Sequence, residues 1–158
     1  MSALVLRSAD DTTALGAAVA SALSGRGGAV ICLRGPLGAG KTTVARGVLR
    51  ALGVRGAIRS PTYTLLEPYE IADGIAGAGR GLVHLDLYRL KDETELEPLG
   101  LRDYPPEQWW WLIEWPERAA QRLPPADLVI ALGYAPTGRR AELGGPLAGP
   151  VAARFMPD

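Results

Sequence analysis

Hydrophobic positions along the 158 residues fall into short blocks whose spacing switches between strand and helix periods. Ala3–Leu6 read as a short edge strand. Leu15, Val19 and Leu23 recur at every fourth position, on one side of a helix ending near Leu23. Asp10, Asp11 and Thr12 offer N-cap groups for that helix, and Gly25-Arg26-Gly27-Gly28 closes it. The unbroken apolar run Ala29-Val30-Ile31-Cys32-Leu33 predicts a strand. Beyond a glycine-rich loop, Val44, Val48, Leu49 and Leu52 mark one side of a second helix, stopped at Gly53. Further strands are expected at Glu67–Ile71, Leu82–Asp86, Trp109–Trp115 (ended by Pro116) and Ala126–Leu132. Residues 139–143 should pair back on the last of these across the turn 135–138. Ala72–Gly81 reads as a hairpin tip, and 92–99 as a short helix with an acidic first turn. The Gly/Pro-rich stretch 144–150 predicts no element, and no internal repeat is visible.

Composition narrows the function classes. The length suits one domain, 1–158, with a real core. Net charge is zero, so no overall basic field argues for nucleic-acid binding. Cys32 is alone and sits within a strand, as a small buried hydrophobe rather than a reactive thiol. No leader pattern and no run of 18 uninterrupted apolar residues is visible, so a cytoplasmic protein without a membrane span is expected.

The loop between the second strand and second helix carries the chemistry. Gly35-Pro36-Leu37-Gly38-Ala39-Gly40-Lys41-Thr42-Thr43 fits G-x-x-x-x-G-K-[ST], the phosphate-binding P-loop. Its glycines let backbone N–H groups turn inward around an anion. Lys41 supplies a compact ammonium for β- and γ-phosphates, the Thr42 hydroxyl can ligate Mg²⁺, and the following helix adds its positive dipole end. With 20 Gly in the chain, a chance match is expected about once in 400 such sequences. Strand before and helix after make nucleotide binding the reading of this stretch. Positive charge comes from 15 Arg and only 2 Lys, and one of those lysines stands where a point charge suits phosphate best.

Three other stretches bear on that site. Leu82-Val83-His84-Leu85-Asp86 ends an apolar run in a carboxylate, the pattern of a Walker B strand, and ligands in open α/β sheets sit beyond such strand ends. Glu114 closes a strand of tryptophans, where an unpaired carboxylate costs several kcal/mol. A metal or a nucleotide-bound water network would offset that cost, as would an ion pair with Arg118 or Arg89. His84, the only histidine, reads as a packed or hydrogen-bonded imidazole rather than a catalytic one. Ser60-Pro61-Thr62-Tyr63-Thr64 reads as a turn rich in hydroxyls, placed where a P-loop protein carries its γ-phosphate sensor. Arg46, Arg50, Arg55 and Arg59 complement a helix C-terminus more readily than they form an RNA or partner surface.

Taken together these motifs resemble the TsaE family of small P-loop ATPases needed to make threonylcarbamoyladenosine in tRNA. The resemblance rests on Thr12-x-x-Leu15-Gly16, the loop at 35–43, Ser-Pro-Thr-Tyr-Thr at 60–64 and His-Leu-Asp-Leu-Tyr-Arg-Leu at 84–90. It rests also on Leu99-Gly100-Leu101-Arg102-Asp103-Tyr104 and on Ile113-Glu114-Trp115-Pro116-Glu117. It implies an α/β fold: a P-loop NTPase three-layer sandwich with a mostly parallel central sheet and antiparallel additions. It implies ATP and Mg²⁺ as cofactors. Leu37, Gly38, Ala39, Gly40, Lys41, Thr42 and Thr43 would cradle the phosphates, and Thr42 and Glu114 would hold Mg²⁺ with Asp86 beside it. Lys41, Asp86 and Glu114 would form the catalytic set. Thr12 would lie near the adenine with Gly138 closing over the base, and Ser60, Thr62 and Thr64 would act as a switch. It implies docking on the TsaB–TsaD heterodimer, with tRNA met only through that complex.

Two other classes share these residues: a small-molecule or nucleoside kinase, and a nucleotide-gated binding module with negligible turnover. The nearly neutral Ala72–Gly81 segment argues against the first, which needs a basic lid. The chain contains no Asn, which excludes the guanine-specific N-K-x-D motif. The only glutamines, Gln108 and Gln121, have no evident place beside a phosphate, so slow intrinsic hydrolysis is expected.

Overall fold

The computed structural model describes residues 2–71 and 80–157. Seven strands form one sheet: β1 (Ser2–Leu6), β2 (Ala29–Arg34), β3 (Leu66–Glu70), β4 (Gly81–Asp86), β5 (Trp109–Glu114), β6 (Leu128–Tyr134) and β7 (Arg139–Gly144). Their spatial order is β1-β7-β6-β2-β5-β4-β3. The four central strands β6, β2, β5 and β4 run parallel, while β3 on one side and β7 and β1 on the other are antiparallel. The sheet is thus parallel where the P-loop leaves it and antiparallel at its margins. Of the expected hairpin tip Ala72–Gly81, residues 72–79 lie outside the described residues.

Alternation along the strands divides the core in two. Ala29, Ile31 and Leu33 of β2, with Leu82, Trp110 and Leu112, face helices α1 (Ala9–Ala22), α2 (Lys41–Ala51) and α3 (Ala148–Arg154). Val30, Cys32, Val83, Leu85, Trp111 and Ile113 point the other way. Short 3₁₀ segments at 93–99 and 116–119 cover that second face, so the third layer of the sandwich is built without α-helices. Burial there pushes the Cys32 thiol up to about 11, consistent with an inert hydrophobe.

α1 and α2 cross at Gly16 and Gly47. A Cβ on Gly16 would stand 2.4 Å from the Val44 carbonyl oxygen, and one on Gly47 2.3 Å from that of Thr13. Only glycine lets the backbones approach this closely, and the crossing carries Thr12 to the edge of the P-loop.

Several boundaries differ from the expectation. The N-cap of α1 is Ser8, whose hydroxyl accepts from the Asp11 N–H, while Asp11 accepts from the Arg7 N–H at 2.7 Å. Asp10, Asp11 and Thr12 therefore lie inside the first turn, where two carboxylates complement the dipole. The segment after Asp92 is 3₁₀ rather than α, with Pro98 inside it. β5 stops at Glu114, because Trp115 turns to φ 59° and ψ 50° before Pro116. β6 starts at Leu128 rather than Ala126; the Asp127 carboxylate accepts from the Val30 N–H at 2.8 Å just outside it. α3, for which 144–150 gave no signal, packs Ala148 and Val151 into the main core.

Candidate active site

Parity places the site. Asp86 ends β4 and Glu114 ends β5, directly paired across the parallel ladder, and both project to the helix-bearing face. β2 ends beside them at Arg34 and feeds the P-loop, so three strand ends converge where α2 begins. Gly35, Gly38 and Gly40 take φ of 144°, 76° and 111°, which lets the loop fold back on itself before Lys41 starts the helix.

The result is a cavity of about 330 Å³ that holds most of the expected phosphate and metal residues. Leu37, Gly38, Gly40, Lys41, Thr42 and Thr43 line one side; Ser60, Thr62, Asp86 and Glu114 line the other, with Tyr88 and Trp115. A second cavity of about 300 Å³ lies on the far side of the loop and shares Gly38, Gly40 and Thr43 with the first. Thr12, Ala39, Gly138 and Arg139 line it, so the residues assigned to the base lie one loop's width from those assigned to the phosphates. Thr64 is exposed and lines neither cavity.

The buried polar groups are tied to one another. The Thr42 hydroxyl donates to Glu114 Oε1 at 3.0 Å, and His84 Nε2 lies 2.6 Å from Glu114 Oε2. The partner of Glu114 is therefore His84, fully buried two positions before Asp86, and not Arg118 or Arg89. Arg89 instead stacks over the Tyr63 ring at 4.6 Å, and Arg118 lies over Tyr88 and Trp115. Asp86 accepts from three donors: the Ser60 and Thr62 hydroxyls at 3.3 and 3.2 Å and the Tyr88 N–H at 3.1 Å. The loop expected to act as a switch is thus hydrogen-bonded to the Walker B carboxylate. Leu65, at φ 67°, closes that loop onto Pro61 and accepts from the Asp86 N–H.

Lys41 is 5 % exposed and folds onto its own loop, donating to the Gly35 and Pro36 carbonyls at 2.5 and 2.9 Å. Its ammonium also sits 4.3 Å from the Trp115 ring centroid. Burial draws its pKa below the usual lysine value, against an upward pull from Glu114, Glu117 and Asp86.

Outside the expected set, the β6–β7 hairpin grips the loop. The Tyr134 hydroxyl donates to the Leu37 carbonyl, Arg139 donates to that of Gly38 at 3.3 Å, and the guanidinium lies 4.7 Å from the Tyr134 ring. Both residues flank a turn the sequence shows, but nothing in their local pattern says which strand end the turn approaches. Of the basic edge, Arg50 donates to the Val54 and Gly56 carbonyls, satisfying groups beyond the helix C-terminus.

The family profile described as "Threonylcarbamoyl adenosine biosynthesis protein TsaE" matches residues 6–141. A tRNA threonylcarbamoyladenosine biosynthesis protein TsaE from Haemophilus influenzae is 46 % identical over 114 residues, covering 72 % of this chain and 68 % of that protein. Proteins of the same name from Aquifex aeolicus and Treponema pallidum are 37 % and 36 % identical, covering 82 % and 86 % of this chain and 84 % and 94 % of their own lengths. The crystal structure of YdiB from Bacillus subtilis superposes with a TM-score of 0.72 at 26 % identity, covering 98 % of this chain and 93 % of that one. Among the described residues no helix is long and apolar enough to cross a membrane. With its P-loop, Walker B strand and hydroxyl-bearing loop in place, the chain belongs to the TsaE family of tRNA threonylcarbamoyladenosine biosynthesis proteins.

Proposed function

We propose that the chain is a Mg·ATP-dependent P-loop ATPase that supports threonylcarbamoyladenosine formation by acting on the TsaB–TsaD heterodimer, meeting tRNA only through that complex. The observation that carries this reading is the convergence of Lys41, Thr42, Asp86 and Glu114 on one cavity at the carboxyl ends of three parallel strands.

The donor set fits Mg²⁺ rather than a self-contained metal cage. Among the described residues no group of three or more His, Cys, Asp or Glu side chains is arranged to hold a metal. What the site offers is the Thr42 hydroxyl and the Glu114 carboxylate 3.0 Å apart, with Asp86 paired beside Glu114. Mg²⁺ prefers such a partial set, since it keeps several waters and takes phosphate oxygens as further ligands. When bound, Mg²⁺ neutralises charge on the β- and γ-phosphate oxygens. Lys41 would leave the Gly35 and Pro36 carbonyls for those oxygens, exchanging neutral acceptors for charged ones. Leu37, Gly38, Ala39, Gly40 and Thr43 would wrap the phosphates, and the neighbouring cavity beside Thr12 and Gly138 would take the base. Ser60 and Thr62, now on Asp86, are placed to exchange that contact for the nucleotide and so report its presence.

Titrating the purified chain into TsaB–TsaD by calorimetry, with and without Mg·ATP, tests the reading. Binding strengthened by Mg·ATP is expected. Absence of any complex in either condition would remove the proposed partner.

A further inference from the structure

We infer that His84 is a positioning residue for magnesium: it fixes the Glu114 carboxylate so that one oxygen faces Thr42 and the cavity. The inference rests on the reading of Thr42 and Glu114 as Mg²⁺ ligands. His84 itself lines neither cavity, being fully buried behind Glu114.

Two features of the ring select its role. His84 Nε2 is 2.6 Å from Glu114 Oε2, the length of a strong, charge-assisted contact. Its other ring nitrogen, Nδ1, is buried and has no hydrogen-bond partner among the described residues. A buried donor left without an acceptor costs about 1–3 kcal/mol, whereas orphaned acceptors are better tolerated. Nδ1 is therefore the bare nitrogen, and the proton sits on Nε2, directed at the carboxylate. The Nε2–H is thereby committed to Glu114.

That commitment divides the two oxygens of Glu114. Oε2 is occupied by His84, while Oε1 meets the Thr42 hydroxyl at 3.0 Å. The division is rigid because both residues sit on adjacent parallel strands, with His84 opposite Leu112 and Asp86 opposite Glu114. His84, Asp86 and Glu114 share a sheet face, so the imidazole reaches diagonally to the carboxylate without leaving the apolar layer around Leu82 and Leu112. Without the donor, the carboxylate would keep Thr42 as its sole hydrogen-bonding side chain among the described residues and lose the contact that sets its rotation. Partners of this kind, one step behind a metal ligand, change metal affinity by about 10–100-fold when removed.

The test separates positioning from packing. His84→Leu removes the donor and keeps most of the bulk; His84→Gln returns an N–H near the Nε2 position. Each is loaded with ADP in metal-free buffer and titrated with Mg²⁺ by calorimetry. In His84→Leu the Mg²⁺ concentration at half-saturation should rise about 10–100-fold, with metal-free ADP affinity within about twofold of the parent. His84→Gln should return to within about threefold of the parent. A parent-like Mg²⁺ midpoint in His84→Leu, or equal impairment of the two variants, overturns the inference, as does a loss of metal-free ADP affinity that parallels a fall in Tm. Because His84 is the only histidine, its ring nitrogens can also be read by NMR in the unaltered chain, so the outcome does not depend on a variant folding. An Nε2–H tautomer whose Nε2 resonance moves when Mg²⁺ joins the ADP complex is expected. An Nδ1–H tautomer, or a resonance indifferent to Mg²⁺ that nonetheless binds, contradicts it. Failure of the unaltered chain to bind Mg²⁺ with ADP would instead overturn the metal reading of the site, and this inference with it.

Discussion

Replacing Lys41 by Ala tests the phosphate cradle with the least disturbance to the core. In the structure its ammonium makes two hydrogen bonds to loop carbonyls and a cation–π contact with Trp115. Nucleotide binding would replace the carbonyls by charged phosphate oxygens. Hydrogen bonds with one ionised partner contribute roughly 1.5–3 kcal/mol each, and phosphate adds a second charge, on the acceptor, that the carbonyls lack. Two such exchanges, less the contacts given up, leave about 1.5–3 kcal/mol specific to the bound state. At 1.4 kcal/mol per decade, Kd for Mg·ATP should rise about 10- to 150-fold. Isothermal calorimetry on a variant shown folded by its thermal melt measures this. Lys41→Arg should recover little, since a planar fork cannot follow the compact ammonium into a loop this tight. An affinity within threefold of the parent in a folded Lys41→Ala chain would refute the assignment.

Two further outcomes follow from the same groups. Because burial holds the Lys41 pKa below the ordinary 10.5, the unfolded chain binds more protons than the folded one in the window just under that value, so this residue's contribution to stability rises with pH there. Phosphate favours the ammonium, so nucleotide binding should take up a proton in the same window and weaken toward pH 10.5; calorimetry in buffers of different ionisation enthalpy detects the uptake, and its persistence in Lys41→Ala would contradict its source. Glu114→Gln keeps an acceptor for the His84 N–H but replaces a hard anionic ligand by a neutral amide, so Mg²⁺ should no longer improve ATP binding, while binding without metal survives. A Mg²⁺ response unchanged beside an altered Tm would make Glu114 structural only.

The sequence made the site legible where spacing along the chain determines chemistry. The P-loop from Gly35 to Thr43 is continuous, and its strand and helix follow from uninterrupted and fourfold apolar spacing. Asp86 was legible as a carboxylate at a strand end, and 139–143 as a strand returning from a turn. What depended on register between strands was not. The partner of Glu114 is set by β4 lying beside β5 in phase, and neither strand alone reveals that phase. Arg118 was nearer in sequence, but Trp115 turns the chain into the left-handed region and carries Arg118 over the aromatic rings instead. The grip of Tyr134 and Arg139 on the P-loop has the same origin, since it needs β6 paired with β2. α3 escaped notice because Gly149 and Pro150 lie in its first turn, where helix propensity says little and packing of Val151 decides.

The measurement that tests the central claim most directly is steady-state ATP turnover by the purified chain, alone and with the TsaB–TsaD heterodimer. No glutamine lines the cavity proposed for the phosphates, Arg89 is stacked on Tyr63, and Ser60 and Thr62 are held on Asp86, so on the proposed reading the chain alone would bind Mg·ATP but cleave it poorly. Slow release of free phosphate by the chain alone, raised at least tenfold by the heterodimer and abolished in Lys41→Ala, is the predicted result. Equal rates with and without the heterodimer would show that the partner does not gate the chemistry, and the account of this site as a partner-controlled ATPase would be contradicted.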